Sequence, residues 1–290
     1  MKKYSMAALF TAAALILALL PGCSQSGEQP SAGVTPESSP AQGDAPLATD
    51  MGGDLLAKIQ AKGELVVALE GTWAPWGYHD EDGTLVGYDV EVAQRVAEKL
   101  GVKPTFVEGE WSALLAGLEA GRYDIMANGV EIDDSRREKY DFSVPYAYNR
   151  TAVIVRADDD SIQSMADLAG KNTANTLNST YATLAEGYGA SVTPVDDFIQ
   201  TIELLTSQRI DATLNADVSY YDYMAQHPDA PIKIACLDPG ASQVAIPMPK
   251  GESSDALRKA IDKALAELAQ DGTLTELSMK YFGTDVSQQP

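Results

Sequence analysis

The chain of 290 residues is 45% hydrophobic, an ordinary globular composition, and carries a formal net charge of -21. Such an excess of carboxylates repels phosphates, which argues against nucleic acid or an anionic membrane surface as a partner. The only cysteines are Cys23 and Cys236, so a metal site built from several cysteines is excluded.

The N-terminus has the features of a signal peptide. Lys2 and Lys3 precede an apolar run over residues 6–20 that is too short for a membrane span. The run ends in Leu-Pro-Gly-Cys, which resembles the lipobox of bacterial lipoproteins, where the cysteine is lipidated; ordinary signal cleavage nearby is the alternative. We predict a signal peptide over residues 1–22, lipidation of Cys23, and an extracytoplasmic protein anchored to the cell membrane.

Residues 23–53 are predicted to be a flexible linker. They consist mainly of Ser, Pro, Gly, Gln and Ala, with few large apolar side chains. Such a segment cannot bury enough surface to offset the entropy lost on ordering. The remaining chain is long enough for two small domains or one domain with two lobes.

After the linker, strands alternate with helices. Apolar residues recur on one face of the first amphipathic helix, which Asp89 is expected to cap and Gly101 to end. Ser112 is expected to cap the second helix. The predicted elements are a strand over 64–69, the helix from 89 to 101, a strand over 103–107, a helix over 113–120 and a strand over 123–127.

This alternation predicts a parallel sheet, and the ligands of such sheets bind at the carboxyl ends of the strands. Trp73, Trp111 and the turn at Asn128 and Gly129 all follow predicted strands. We therefore expect these residues to lie together at one edge of the sheet.

The pattern then restarts as a second α/β series. Beyond it, residues 245–249 and a long amphipathic helix that stops at Gly272 look like a continuation of the first series. The elements predicted for the second series are strands over 151–156, 192–195 and 211–214, and helices over about 197–207 and 217–226.

Several long strings carry a resemblance to a known family. EGTWAPWGYHDEDGTLVGYDVEVA, EWSALLAGLEAGRYDIMANGV, SRREKYDFSVPY and RIDATLNA, in this order, resemble the polar amino-acid binding proteins of ABC importers, solute-binding protein family 3. The second series is most similar to the cystine-binding branch.

The resemblance implies a type II periplasmic-binding fold with two lobes. Each lobe would have a mixed, mainly parallel sheet flanked by helices, and two crossover strands would form the hinge. Lobe 1 is expected to comprise residues 54–153 and 245–290, and lobe 2 residues 154–244.

The resemblance also assigns a role to Arg136, which stands at the arginine of the family motif. Its guanidinium would bind the α-carboxylate of the ligand through two parallel hydrogen bonds. From the sequence alone, a salt bridge with Asp133 or Asp134 is the alternative. Arg137, the next residue, is expected to lie at the surface.

Other site residues follow from the same resemblance. Trp73 and Trp111 would sandwich the ligand side chain, and Glu70 would lie at the mouth of the same loop. The turn at Asn128 and Gly129 would bring backbone close to the ligand. From lobe 2, the segment Asn178, Ser179 and Thr180 would offer hydroxyls and free helix N–H groups to the carboxylate.

Two departures from the family concern the partner of the ligand ammonium. Glu131 stands where relatives have Ser or Thr, and Ala216 stands where they have the ammonium-binding Asp. Glu131 is the expected replacement, and Asp217 is the rival, although it should point away and cap the following helix. A ligand without a free α-ammonium is the third possibility.

The expected function is that of a monomeric lipoprotein which binds a polar amino acid, preferably cystine, and delivers it to an importer permease. We expect no cofactor, no metal and no catalysis, because His79 and His227 belong to no catalytic or metal-binding motif. Two alternatives remain open: an arogenate or cyclohexadienyl dehydratase-like enzyme using Arg136 and Glu131, and a ligand sensor that docks onto a receptor.

Overall fold

The computed structural model describes residues 53–289. The predicted signal peptide, Cys23 and the linker up to residue 52 lie outside the described residues. Within the described part, no helix is both long and apolar enough to cross a membrane.

Lobe 1 is built from both ends of the described chain. Its central sheet has three parallel strands in the order β5-β1-β6. The elements before the first crossover are α1 (Leu55–Lys62), β1 (Glu64–Leu69), β2 (Thr72–Trp73), β3 (Gly77–His79), β4 (Leu85–Val86), α2 (Tyr88–Leu100), β5 (Lys103–Glu108), α3 (Trp111–Glu119), β6 (Ile125–Met126), α4 (Asp134–Lys139) and β7 (Tyr140–Phe142).

Lobe 2 contains a mixed sheet of five strands in the order β11-β10-β12-β9-β13. Strand β9 runs antiparallel to both of its neighbours, and β10, β11 and β12 run parallel. The elements of this lobe are β9 (Thr151–Arg156), a 3-10 turn (Met165–Leu168), β10 (Asn172–Thr176), α5 (Thr180–Gly187), β11 (Ser191–Val195), α6 (Phe198–Thr206), β12 (Ala212–Ala216), α7 (Asp217–Gln226) and β13 (Ile232–Leu237).

Two antiparallel strands cross between the lobes. They are β8 (Ala147–Asn149) and β14 (Ser242–Val244), with Asn149 opposite Ser242 and Ala147 opposite Val244. The chain then returns to lobe 1 through β15 (Pro247–Pro249), a 3-10 turn (Glu252–Ser254), α8 (Asp255–Gln270) and α9 (Thr273–Phe282). The predicted lobe boundary at residue 153 falls inside β9.

Alternating side chains bury both faces of each sheet. In β1, Leu65 and Val67 lie in the large core under α2 and α8, whereas Ala68 lies in the smaller core under α3. In β9, Val153 and Ile154 likewise belong to different cores on opposite faces. Because successive strand residues point to opposite faces, continuous apolar strands of this kind require helices on both sides.

Asp89 does not cap the first amphipathic helix, which corrects the prediction. The helix begins at Tyr88, and its N-cap is Gly87, with φ 135°. A Cβ on Gly87 would lie 2.3 Å from the carbonyl oxygen of Trp76, so only glycine fits this helix start. Ser112 is not a cap either, because its helix begins one residue earlier, at Trp111.

Asp89 instead lies fully buried inside lobe 1. Its Oδ2 accepts a hydrogen bond from the Gly129 amide at 2.5 Å, and its Oδ1 accepts one from the Tyr146 hydroxyl at 2.5 Å. Burial raises the pKa of Asp89 to about 7, although both hydrogen bonds favour the charged form. Asp89 therefore fixes the turn at Gly129 against the rest of the lobe.

Replacing Asp89 by Ala is expected to lower the free energy of unfolding by about 1–3 kcal/mol, because the Gly129 amide and the Tyr146 hydroxyl lose a buried acceptor. Asp89→Asn should cost less, since its carbonyl can accept from Gly129 while its amide donates to Tyr146. Denaturant titration of both variants measures the difference, and equal losses would contradict this role.

A comparison of the wild type with Asp89→Asn tests the charge on Asp89. A carboxyl whose pKa is raised in the fold destabilises the protein as pH rises between the unfolded pKa of about 4 and the folded value. The free energy of unfolding of the wild type should therefore decrease from pH 5 to pH 8. In Asp89→Asn the decrease over the same pH range should be smaller.

Candidate functional site

A cavity lies between the two lobes at the carboxyl ends of their strands. The space between its walls, including the part open to solvent, is about 510 Å³. Its lining residues from lobe 1 are Glu70, Thr72, Trp73, Trp111, Gly129 and Arg136, and those from lobe 2 are Thr176, Ser179, Thr180, Tyr181, Asp197, Phe198 and Asn215.

Arg136 is the buried cation of this cavity and is only 6% exposed. It lies in α4, whose N-cap Asp133 accepts a hydrogen bond from the Arg136 amide at 2.8 Å. The guanidinium Nε is 3.3 Å from the Asp133 carboxylate, and Nη1 donates to the Glu131 carbonyl at 2.7 Å. The neighbouring Arg137 is exposed. Arg136 thus faces the cavity and also makes the ion pair that the sequence offered as an alternative role.

Hydrogen bonds join the lobes across the cleft. Nη2 of Arg136 donates to the carbonyl of Asn178 at 3.2 Å, and the hydroxyl of Ser112 donates to the carbonyl of Leu177 at 3.2 Å. Trp73 of lobe 1 also packs against the lobe 2 core. The lobes are therefore in contact around the cavity.

The lobe 2 side of the cleft is the start of α5. Asn178 has a left-handed backbone, with φ 62°, and Ser179 caps the helix by accepting from the Ala182 amide at 3.0 Å. Ser179 and Thr180 line the cavity, whereas Asn178 contributes its carbonyl to Arg136. The N-terminal end of a helix carries a partial positive charge that favours an anion.

Aromatic rings enclose the cavity on the lobe 1 side. Trp73 is stacked on Trp76 with a centroid distance of 5.5 Å, and the Arg136 guanidinium carbon lies 5.1 Å from the Trp111 ring centroid. Gly129 has φ 56°, and a Cβ there would lie 2.7 Å from the Trp73 ring. The glycine is therefore required by the close approach of this ring to the turn.

All three tryptophans have a buried indole nitrogen with no hydrogen-bond partner within residues 53–289. Two of them, Trp73 and Trp111, line the cavity. Trp111 is only 7% exposed. Because buried N–H groups are normally paired, these two mark a wall on which a polar ligand group would find donors.

Glu70 is a partly buried carboxylate at the end of β1. Its Oε2 accepts from the Asn128 amide at 2.7 Å, and its own backbone N–H donates to the Asn128 side chain at 2.8 Å. Asn128 itself does not line the cavity but holds Glu70 in place. Burial raises the pKa of Glu70 to about 7, and the charges of Glu110 and Asp197 act in the same direction.

Glu131 is buried beside the hinge and is not among the residues that line the cavity. Its carboxylate accepts from the Asn149 side chain at 3.1 Å and hydrogen-bonds with Thr180 and Ser242. Burial raises its pKa, although these contacts and Arg136 favour the charged form. The Thr180 hydroxyl thus stands between this carboxylate and the cavity.

Asp217 also lies away from the cavity lining. It is the first residue of α7, and its Oδ2 accepts from Nε and Nη2 of Arg150, at 3.1 and 2.8 Å. The N-cap of that helix is Ala216, so Asp217 is the first helical residue, and the prediction that Asp217 caps the helix is wrong.

Sequence reasoning missed six lining residues: Thr72, Thr176, Tyr181, Asp197, Phe198 and Asn215. Thr176 ends β10, Asn215 lies near the end of β12, and Asp197 follows β11. The rule that ligands bind at the carboxyl ends of parallel strands, applied to the second lobe as to the first, would have found these three.

Known proteins match this chain over both of its lobes. The chain matches the family of bacterial extracellular solute-binding proteins, family 3, over residues 65–284. It is 40% identical to the L-cystine-binding protein TcyA of Bacillus subtilis over 239 residues, which cover 81% of this chain and 87% of that protein.

Two solved structures resemble the fold closely. The L-cystine solute receptor of Neisseria gonorrhoeae, in an unliganded open conformation, is 40% identical with a TM-score of 0.57, covering 82% of this chain and 100% of that chain. An ancestral arginine-binding protein bound to arginine is 35% identical with a TM-score of 0.71, covering 76% of this chain and 99% of that chain. The less identical but liganded protein superposes better, which agrees with the contact between the lobes.

The family match spans both lobes and both crossover strands, and the two solved structures are an arginine-binding protein and an L-cystine solute receptor. This confirms the predicted type II periplasmic-binding fold. The chain belongs to the bacterial extracellular solute-binding proteins, family 3.

Proposed function

We propose that this protein is the extracytoplasmic binding component of an ABC amino-acid importer, that it acts as a monomer anchored through lipidated Cys23, and that its ligand is cystine. The observation that supports this most directly is the cavity between the lobes, with a buried cation in contact with both. Relatives named as L-cystine-binding proteins in Bacillus subtilis and Neisseria gonorrhoeae support the choice of ligand.

Arg136 would bind the α-carboxylate of the amino acid. A guanidinium has five N–H donors, and three are directed at Glu131, Asp133 and Asn178. One N–H on each of Nη1 and Nη2 is left, which is the pair that a carboxylate accepts side by side. Ser179 and Thr180 at the start of α5 would meet the same carboxylate from lobe 2.

The ligand side chain would lie between Trp73 and Trp111, with Gly129 leaving the room that the rings need. Glu70, beyond the rings, would face the distal end. Cystine carries a second amino-acid head group there, whose ammonium suits a carboxylate.

For the α-ammonium, Glu131 remains our proposed partner. Its carboxylate lies behind the Thr180 hydroxyl and next to Arg136, so it acts on the α-carbon end of the cavity, whereas Asp217 is engaged by Arg150. The enzyme alternative also assigned Glu131 a role as a catalytic acid. A carboxylate outside the cavity lining suits electrostatic support better than proton transfer to a substrate.

A thermal-shift panel of the common amino acids, with cystine at its solubility limit, tests the proposed function. A ligand at 100 times its Kd stabilises the folded state by about 2.7 kcal/mol, which raises Tm by roughly 5 °C or more in a protein of this size. We expect cystine to give the largest shift. If no amino acid shifts Tm, the proposed function is wrong.

Arg136→Lys is expected to weaken ligand binding by about 100-fold, because an ammonium cannot form the two parallel bonds to a carboxylate. Calorimetric titration with the ligand identified in the panel measures this loss. Arg137→Lys, at the exposed neighbour, is the matched control and should bind as the wild type does. If Arg137→Lys weakened binding and Arg136→Lys did not, Arg137 and not Arg136 would be the carboxylate-binding residue.

Glu131→Gln is expected to weaken binding of a zwitterionic amino acid by about tenfold or more, because the charge that balances the α-ammonium is lost. Asp217→Asn should leave affinity nearly unchanged and cost less than about 1 kcal/mol of stability, since Arg150, its partner in the ion pair, is half exposed to solvent. Titration calorimetry on both variants tests the assignment. Normal affinity in Glu131→Gln would reject Glu131 as the ammonium partner.

A further inference from the structure

The charged residues that line the cavity are held by different elements. Arg136 contacts Asn178 just before α5, whereas Asp197 is the N-cap of α6 and Glu70 follows β1. The charge of Asp197 acts on Glu70, and we call the part of the cavity beside these two carboxylates the acidic end. Among the charged side chains that line the cavity, two are carboxylates and one is a cation.

The two lining carboxylates come from opposite lobes. Glu70 follows β1 of lobe 1, and Asp197 precedes α6 of lobe 2. Within residues 53–289, neither carboxylate forms a salt bridge; the acceptor bonds of Glu70 come from Asn128, and those of Asp197 come from Gln200. Both partners of these carboxylates are neutral, so no cation is bonded to either carboxylate within the described residues.

Closing the lobes brings these like charges towards each other in a place where water is partly excluded, which costs free energy. A ligand with a cationic group at this end would remove the repulsion, and a ligand with a neutral end would not. The indole N–H of Trp111 has no partner within residues 53–289 and lies in the same cavity, where it is free to donate to a further polar group of the ligand.

We propose that Asp197 is a specificity-determining residue of this site, which together with Glu70 selects ligands carrying a second cationic group at the end opposite the α-carboxylate. The inference rests on the proposed function and narrows its ligand class. Cystine, lysine and arginine belong to that class, and glutamine and other neutral amino acids do not.

Matched ligand pairs test the proposal by titration calorimetry. Arginine is compared with citrulline and lysine with norleucine, so that each pair nearly keeps its shape and differs in the distal charge. In the wild type we expect at least one cationic member to bind about tenfold more tightly than its neutral partner.

Asp197→Asn should reduce this preference by about three- to tenfold, by weakening the cationic member and not the neutral one. Asn is as good a helix N-cap as Asp, so the bond to the Gln200 amide and the Tm should be preserved. Asp196→Asn removes the same charge from the exposed neighbour and should leave the preference unchanged. Glu70→Gln, on the other lobe, should act as Asp197→Asn does.

Equal affinity for both members of every pair in the wild type would overturn the inference, as would an unchanged preference in Asp197→Asn. If neutral amino acids bind tightly, the proposed function stands and only this inference fails. If no amino acid binds at all, the proposed function fails and the inference falls with it.

Discussion

The arrangement of both lobes depends on one guanidinium that is held almost out of water. Arg136 is balanced inside lobe 1 by the Asp133 carboxylate and the Glu131 carbonyl, and burial still lowers its pKa. Its third contact, with the Asn178 carbonyl, exists only when lobe 2 is close. Closure therefore adds one hydrogen bond while it removes a charge from water, and an anionic ligand supplies the charge-assisted bonds that favour the closed state.

Carboxylates in lobe 1 are desolvated in the same way. Burial raises the pKa values of Glu70, Asp89 and Glu131, and the side chains that hydrogen-bond to them are neutral. Asp89 accepts a hydrogen bond from the amide of the Gly129 turn inside the core, whereas Glu70 lines the cavity. A carboxylate inside the core without a cationic partner, such as Asp89, holds neighbouring segments together by hydrogen bonds. A carboxylate at the cavity wall, such as Glu70, lowers the free energy of a bound cationic ligand relative to that of a bound neutral one.

The sequence predicted the regular elements well where the apolar period was strong. The first amphipathic helix, the helix over residues 217–226 and the principal strands lie within a few residues of their predicted positions. The capping rule failed at Asp89, because its carboxylate is the buried acceptor for the Gly129 amide. It also failed at Ser112, because the helix already begins at Trp111. Residue type alone cannot reveal such tertiary demands.

The site was predictable in part for the same reason. Residues that follow predicted strands of lobe 1, such as Trp73 and Gly129, were found, and Arg136 followed from the family resemblance. Asp197 was missed although it follows a predicted strand of lobe 2, because the rule on the carboxyl ends of parallel strands was applied only to lobe 1. The burial of Glu131 at the hinge likewise follows from strand crossing and not from its neighbours in sequence.

The crossover strands also explain how one loop can contribute residues to the cavity and be bonded to the hinge. The loop from Gly129 to Arg136 is hydrogen-bonded to the second crossover strand, through the Ile132 amide to the Gln243 carbonyl at 2.8 Å and the Ala245 amide to the Val130 carbonyl at 3.0 Å. Glu131 forms a bridge with Val244 between these bonds. Since the loop is bonded to the hinge itself, rotation about the hinge changes the position of lobe 2 while Arg136 stays fixed in lobe 1. The guanidinium that we propose as the anion-binding group would therefore be in place before the lobes close, and closure would only complete its surroundings.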